Sequence, residues 1–302
     1  MIIWNPFLKR GSYIIMISTG VKKMKVTFFG TTTLLFDDGK DQIFFDAHMT
    51  RPSLMQFAFG SAPTDTKLVD EKLKLHHVDR LKAIFVSHSH YDHVLDAAYI
   101  ANQCGAMIYG SSSTMKVAEG GDVPEERRIE FQANETYEVG GYRIKVIPSI
   151  HSKPTIINND LGQTIDKPIR QPAKLRDYKE GGSYDFYVEA DGKRIMIRPS
   201  FNYIVGQMDG YKADVLFLGV AGLQKADAET EKIFYQETIE KLEPKLVIPV
   251  HWDNFFSPLT KPVTGMPKLI EKTEVVFYKL ARYCETKDVN CLIQIPGTSI
   301  EI

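Results

Sequence analysis

The chain is expected to fold as an α/β sandwich of mixed β-sheets. Short β-rich runs joined by tight turns come first, and apolar strands alternate with amphipathic helical segments later. Between them, the apolar run "AIFVS" is followed five residues on by "HVLDAAYIANQCG", a strand buried on both faces and then a helix.

The first strands are "KVTFFG" from Lys25, then "TTLLFDD" and "QIFFDA", broken at "GTT" and "DDGKD", which read as hairpin turns. Residues 53–80 are mixed, with a short helix or two. In the helix after "AIFVS", Val94, Leu95, Ala98 and Ala101 share a face, and Gly105 supplies a stop. Strands follow at "AMIYG", "RRIEF" and "YRIKVIPS". A hairpin, "YDFYVEADGKRIMIR", turns on Ala190-Asp191-Gly192. "ADVLFLGV" and "LVIPV" are further strands. "AETEKIFYQETIEKL" and "MPKLIEKTEVVFYKLARYC" are amphipathic helices, each preceding a strand.

One segment breaks this order. Ser152–Gly182 holds six Lys/Arg, four Asp/Glu and three prolines without a clear period. A loop this long in a compact domain usually carries function. It reads as a lid or substrate wall, with a plain surface insertion as the alternative. Residues 1–23 read as an extension, with Met16 and Met24 as alternative starts, and 24–302 as one domain.

Composition narrows the function. At 43% hydrophobic and 25% charged residues the chain is an ordinary globular protein. A net charge of −1 provides no global field for nucleic acid or an anionic membrane, so no nucleic-acid partner is expected. No apolar run approaches the roughly 20 residues that cross a bilayer. Cys104, Cys284 and Cys291 form no CxxC pair, which favours free thiols and a cytoplasmic, reducing setting. "GTTTLL" lacks the spacing of a phosphate loop, and no GxSxG elbow is present.

The chemistry concentrates in "SHSHYDHVLD". Of eight histidines in the chain, His88, His90 and His93 fall within six positions, with Asp92 among them. Imidazoles with one carboxylate suit zinc, and also iron or manganese. His88 and His90 can point the same way from an extended segment, whereas Asp92 and His93 turn elsewhere, which suggests two metal positions. Further ligands are available at His151 in "IPSIHSKP" and His251 in "VIPVHWDNF", each just beyond a strand, where open α/β sheets place their ligands.

These motifs resemble the metallo-β-lactamase superfamily, whose HxHxDH signature stands here as His88, His90, Asp92 and His93. Four motifs occur in the expected order over Met24–Ile302. "HSHYDHVLD" with "HWDNF" is most similar to the L-ascorbate-6-phosphate lactonase and N-acyl-phosphatidylethanolamine phospholipase D branches. The resemblance implies a four-layer αββα sandwich with metals between the upper edges of two sheets. It implies one metal on His88, His90 and His151 and a second on Asp92, His93 and His251. Zn2+ is the implied ion, with Mn2+ or Fe2+ as alternatives. It further implies a hydrolase acting on a small or lipid-like anionic ester, lactone or phosphodiester, with Asp92 both ligating and orienting the water nucleophile. A non-catalytic metal sensor of the same fold, and a nuclease, are the rival readings.

The pattern departs from the family at one place. Where a bridging aspartate is usual, after the strand "KRIMI", the chain reads Arg198-Pro199-Ser200. Two divalent cations with Asp92 and one hydroxide leave about +2, against about +1 with the aspartate present. The expectation is one tight metal, a weaker second one and a bias toward anionic substrates, strengthened if Arg198 points inward. Asp46 and Ser200 are candidates for supporting contacts to the ligands. His48 is expected to be solvated, and His76 and His77 structural or exposed. Asp96 is expected either to buttress a ligand or to lie on the surface. Tyr91, Trp252 and Asp253 are expected either to line the pocket or to pack.

Overall fold

The computed structural model describes residues 23–154 and 159–302. The proposed N-terminal extension therefore lies outside the described residues, apart from Lys23. Two seven-stranded sheets face each other. The first runs Thr298–Glu301, Lys25–Gly30, Thr33–Asp37, Gln42–Phe45, Leu81–Phe85, Met107–Gly110 and Arg128–Glu130. Its early members are antiparallel hairpins, and from Gln42–Phe45 onward its neighbours are parallel. The second runs Asn290–Cys291, Leu246–Val250, Val215–Gly219, Lys193–Arg198, Ser183–Ala190, Tyr142–Ser149 and Thr136–Val139. Its first four strands are parallel and the rest antiparallel.

Alternation explains why the sheets pack. Phe36 and Phe45 of the first sheet meet Phe217 and Phe186 of the second, with ring centroids 5.8 and 5.4 Å apart. Phe29, Phe44 and Ile84 point the other way and are covered by the helices Thr66–Leu75, Ala97–Cys104 and Ser112–Gly120. On the second sheet, Phe234 and Val276 carry the outer helices Ala228–Tyr235 and Thr273–Thr286 into the core. The result is the expected mixed-sheet α/β sandwich.

Local signals account for most boundaries. Asp65 caps Thr66–Leu75 by accepting the Leu68 N–H. Gly105, at φ 67°, ends Ala97–Cys104 in the left-handed region. Asp191 and Gly192, at φ 50° and 70°, supply the two positive values of a type I′ hairpin turn. Elements not read from the sequence include the helix Ser112–Gly120 and the strands Thr136–Val139 and Thr298–Glu301. One helix is shorter than expected. Met266–Lys272 is not helical, because Glu271 turns its carboxylate to the Gly222 N–H at 2.7 Å and the helix begins only at Thr273. Among the described residues no helix is long and apolar enough to cross a membrane.

Candidate metal centre

The strand Leu81–Phe85 delivers an extended segment that ends at His90, at φ −63° and ψ 150°, where a single helical turn, Tyr91–Val94, begins. This places His88 and His90 on extended backbone and Asp92 and His93 on the turn. His151 follows Tyr142–Ser149 and His251 follows Leu246–Val250, so the three ligand-bearing stretches meet where strands of both sheets end.

Two groups result. The side-chain donor atoms of His88, His90 and His151 lie within 4.8 Å of one another, and so do those of Asp92, His93 and His251. The groups adjoin, with the His88 and His93 rings 3.7 Å apart. Asp92 Oδ2 lies 3.4 Å from His251 Nε2 and 3.8 Å from His93 Nε2.

One ring nitrogen each of His88, His90 and His93 is occupied, which turns the other toward the centre. His93 Nδ1 lies 2.7 Å from Asp46 Oδ2 and 2.9 Å from Thr32 Oγ1. Asp46 also accepts the Ser87 N–H at 2.7 Å and the Ser87 hydroxyl at 2.9 Å, while Ser87 Oγ lies 3.1 Å from His88 Nδ1. His90 Nε2 lies 3.0 Å from Asp160 Oδ1. His88 Nε2 and His93 Nε2 are buried and have no hydrogen-bond partner. A buried imidazole nitrogen without a partner is costly, and a cation supplies the missing one. Three imidazoles in one group, and two with a carboxylate in the other, fit zinc, iron or manganese.

Electrostatics agree with the donor set. Burial, with the neighbouring imidazoles adding to it, holds His88 well below the usual histidine range. Burial also lowers His151, to about 3, so both rings are neutral donors at neutral pH. Burial alone would raise Asp92, but His93 and His251 override it and hold the carboxyl far below the usual range. His251 is raised, because its contact with Asp92 outweighs its own burial.

A buried strap sets the His251 loop. His251 adopts φ 61°, unusual for a residue with a Cβ, and the loop is tied down on the residue after next. Asp253 pairs with Arg51 at 2.5 Å and accepts the Thr31 N–H at 2.8 Å. Gly30, at φ 105°, leaves room for Arg51, since a Cβ there would lie 1.7 Å from Arg51 Nη2. Arg51, Thr32, Ser87 and Asp160 were not read from the sequence. Only Ser87, directly before the motif, carried a local cue.

Several expectations are corrected. His48 is fully buried rather than solvated, with Nδ1 3.3 Å from Thr31 Oγ1. Arg198 is buried and paired with Asp185 at 2.7 Å, so its charge is spent inside the fold and adds no positive bias to the cleft. Asp96 is neither a ligand buttress nor a surface acid. It accepts the Met49 and Thr50 N–H groups at 2.6 and 2.7 Å. Of the two alternatives expected for Trp252 and Asp253, packing is the one found: Trp252 packs on Phe277, and Asp253 is the buried partner of Arg51. Pro199 and Ser200 line the cleft, yet Ser200 makes no side-chain hydrogen bond to either group. Asp46 does touch a member of one, His93.

The groups open into a cavity of about 570 Å³. The segment Ser152–Gly182, of which 155–158 lie outside the described residues, contributes Asp160, Gln163, Tyr178 and Lys179 to its wall. The lining balances Lys153, Arg176, Lys179 and Lys225 against Asp92, Asp160, Asp227 and Glu271.

A family model described as a β-lactamase superfamily domain matches residues 42–252. A UPF0173 metal-dependent hydrolase of Chloroflexus aurantiacus is 28% identical over 74% of this chain and 83% of its own length. One from Thermus thermophilus is 23% identical over 77% and 85%. Among solved structures, Igni18, a metallo hydrolase from Ignicoccus hospitalis, aligns with a TM-score of 0.59 at 17% identity, covering 93% of this chain and 98% of its own. An isothiocyanate hydrolase from Delia radicum gut bacteria aligns with a TM-score of 0.57 at 16% identity, covering 92% and 99%. At such identities the structures speak for the fold alone.

Proposed function

The chain belongs to the metallo-β-lactamase superfamily, and from that premise we propose that it is a metal-dependent hydrolase of zinc type. His88, His90 and His151 hold one divalent cation and Asp92, His93 and His251 a second. The observation that carries this reading is the pair of donor groups, each within 4.8 Å, with His88 Nε2 and His93 Nε2 unpartnered in the interior. Such cations supply charge that polarises the scissile bond and makes water acidic enough to yield a nucleophile near neutral pH.

The chain's own residues do the rest. Asp46 and Thr32 hold the His93 ring through Nδ1, and Ser87 holds His88 in the same way, so neither ring turns when substrate enters. Asp92 stays ionised and is placed to orient the attacking water. Ser152–Gly182 acts as the substrate wall of the single domain 24–302. The substrate is a small or lipid-like anionic ester, lactone or phosphodiester. Support for the anion comes from the shortage of carboxylates, since neither donor group has one besides Asp92. With Arg198 neutralised by Asp185 and the other charged lining residues balanced in number, the cations provide most of that bias. The three free cysteines support a cytoplasmic setting.

Metal analysis of protein purified without added metal, followed by hydrolysis assays with and without zinc or manganese, tests the reading. One tightly held equivalent, a second lost to mild chelation, and metal-dependent turnover are expected. Two equivalents surviving chelation would refute the weak second position. No turnover on phosphodiesters, lactones or thioesters would favour a sensor instead.

A further inference from the structure

One wall of the cavity is a contiguous set of aromatic rings that leaves the donor groups at His251 and returns, through Phe57, to Tyr91 beside Asp92 at 5.6 Å, with a cation over Phe57. Phe255 meets the His251 ring edge-on at 5.4 Å. Phe256 lies 4.6 Å from Phe255, and Phe57 lies 5.7 Å from Phe256. The Arg176 guanidinium sits 5.9 Å from the Phe57 centroid. All of these residues line the cavity. Phe57, on the short helix Leu54–Phe59, and Phe255 and Phe256, in the loop after His251, are only half-buried. The same chain buries Phe28, Phe36, Phe44 and Phe217 completely, whereas these three rings pack against the core on one side and stay partly open to the cavity on the other. Each ring held against water forgoes about 25 cal/mol per Å² of apolar surface, which a flat apolar ligand recovers. Arg176 is exposed and makes no ion pair with any described residue.

We infer that the substrate carries an aryl group that lies along Phe255, Phe256 and Phe57 when the scissile centre is at Asp92 and His251, with an anionic substituent on the far side of the ring reaching Arg176. The inference rests on the hydrolase reading for the position of the scissile centre. Stacking on such rings and a charge-assisted contact at the far end are separate contributions, so each is tested alone.

Three phosphonates with a non-hydrolysable P–C bond serve as probes: methylphosphonate, phenylphosphonate and 4-carboxyphenylphosphonate. Their affinities are measured by calorimetry on the protein with the metal it carries on purification. Phenylphosphonate is expected to bind about ten-fold tighter than methylphosphonate, and the carboxylate to add about five-fold more. Phe57→Leu, which keeps the bulk, should erase much of the phenyl advantage. Arg176→Gln should erase only that of the carboxylate. Equal binding of the methyl and phenyl probes, absence of binding by all three, or a carboxylate advantage that survives Arg176→Gln would overturn the inference. Because the probes do not turn over, the two readings fail separately. Aryl preference without turnover of any substrate class would sink the hydrolase and leave the aromatic wall, and turnover without aryl preference would do the reverse.

Discussion

His93 and His90 are each held through a ring nitrogen by an aspartate, at 2.7 and 3.0 Å, yet the two aspartates belong to different kinds of structure. Asp46 follows the central strand Gln42–Phe45, is fully buried, adopts φ 54°, and holds Ser87 and Thr32 as well. Asp160 sits in the long insertion, partly open to water, and its carboxylate meets His90. The Asp92 half of the centre is thus part of the core, and the His90 half leans on a surface segment. The difference teaches that equal distances do not mean equal rigidity. A buried acceptor with several donors cannot be released without orphaning them, whereas a solvated one exchanges its partner for water.

This comparison can be broken in order of expected effect. Asp92→Asn removes the only carboxylate of the core-held half and is expected to lower hydrolysis about 1,000-fold, read as kcat/KM. A loss below ten-fold would mean that this half is not where the chemistry occurs. Asp46→Ala comes next. It should weaken metal binding at the Asp92 half by roughly 10–100-fold and cost about 2–3 kcal/mol of stability, since Ser87, Thr32 and His93 lose their acceptor. Metal titration and urea unfolding report the two effects separately.

A smaller effect comes from His48, which burial holds at about 3 against an ordinary 6.5. Between those values the unfolded chain takes up a proton that the folded chain refuses, so stability falls as pH falls through that window. By pH 5 the loss is roughly 2 kcal/mol relative to neutral pH. His48→Asn should remove only the His48 share of the stability lost between pH 7 and 5, since the lowered His88 and His151 keep theirs, and unfolding curves at the two pH values read that difference. The smallest effect is assigned to Asp160→Asn, a loss of at most about ten-fold in metal affinity at the His90 half with unchanged stability. An Asp160 variant as damaging as Asp46→Ala would erase the distinction between the halves.

The elements legible in the chain were those with a local cause. "YRIKVIPS" is a strand over its full quoted length, Tyr142–Ser149, because alternating apolar side chains declare their own face. Thr136–Val139 carries little pattern of its own, with two half-buried residues, one exposed and one buried, and its partner is supplied by a hairpin at Gly140-Gly141. Ser111 caps the unread helix Ser112–Gly120, a cue that was present but has apolar spacing too weak to flag it. The long helix read from Met266 overran because one side-chain contact, Glu271 to Gly222, decides where it starts.

Clustering of His88, His90, Asp92 and His93 was a property of the chain alone, since neighbours on a strand end and one helical turn stay neighbours in any fold. So was the absence of a carboxylate at Pro199-Ser200. Only the tertiary structure brought His151 and His251 to them, buried His48, spent Arg198 on Asp185, and lent Asp160 to His90. Those outcomes depend on which distant segment fills the space beside a side chain, and burial and pairing are set by that neighbour rather than by the residue itself.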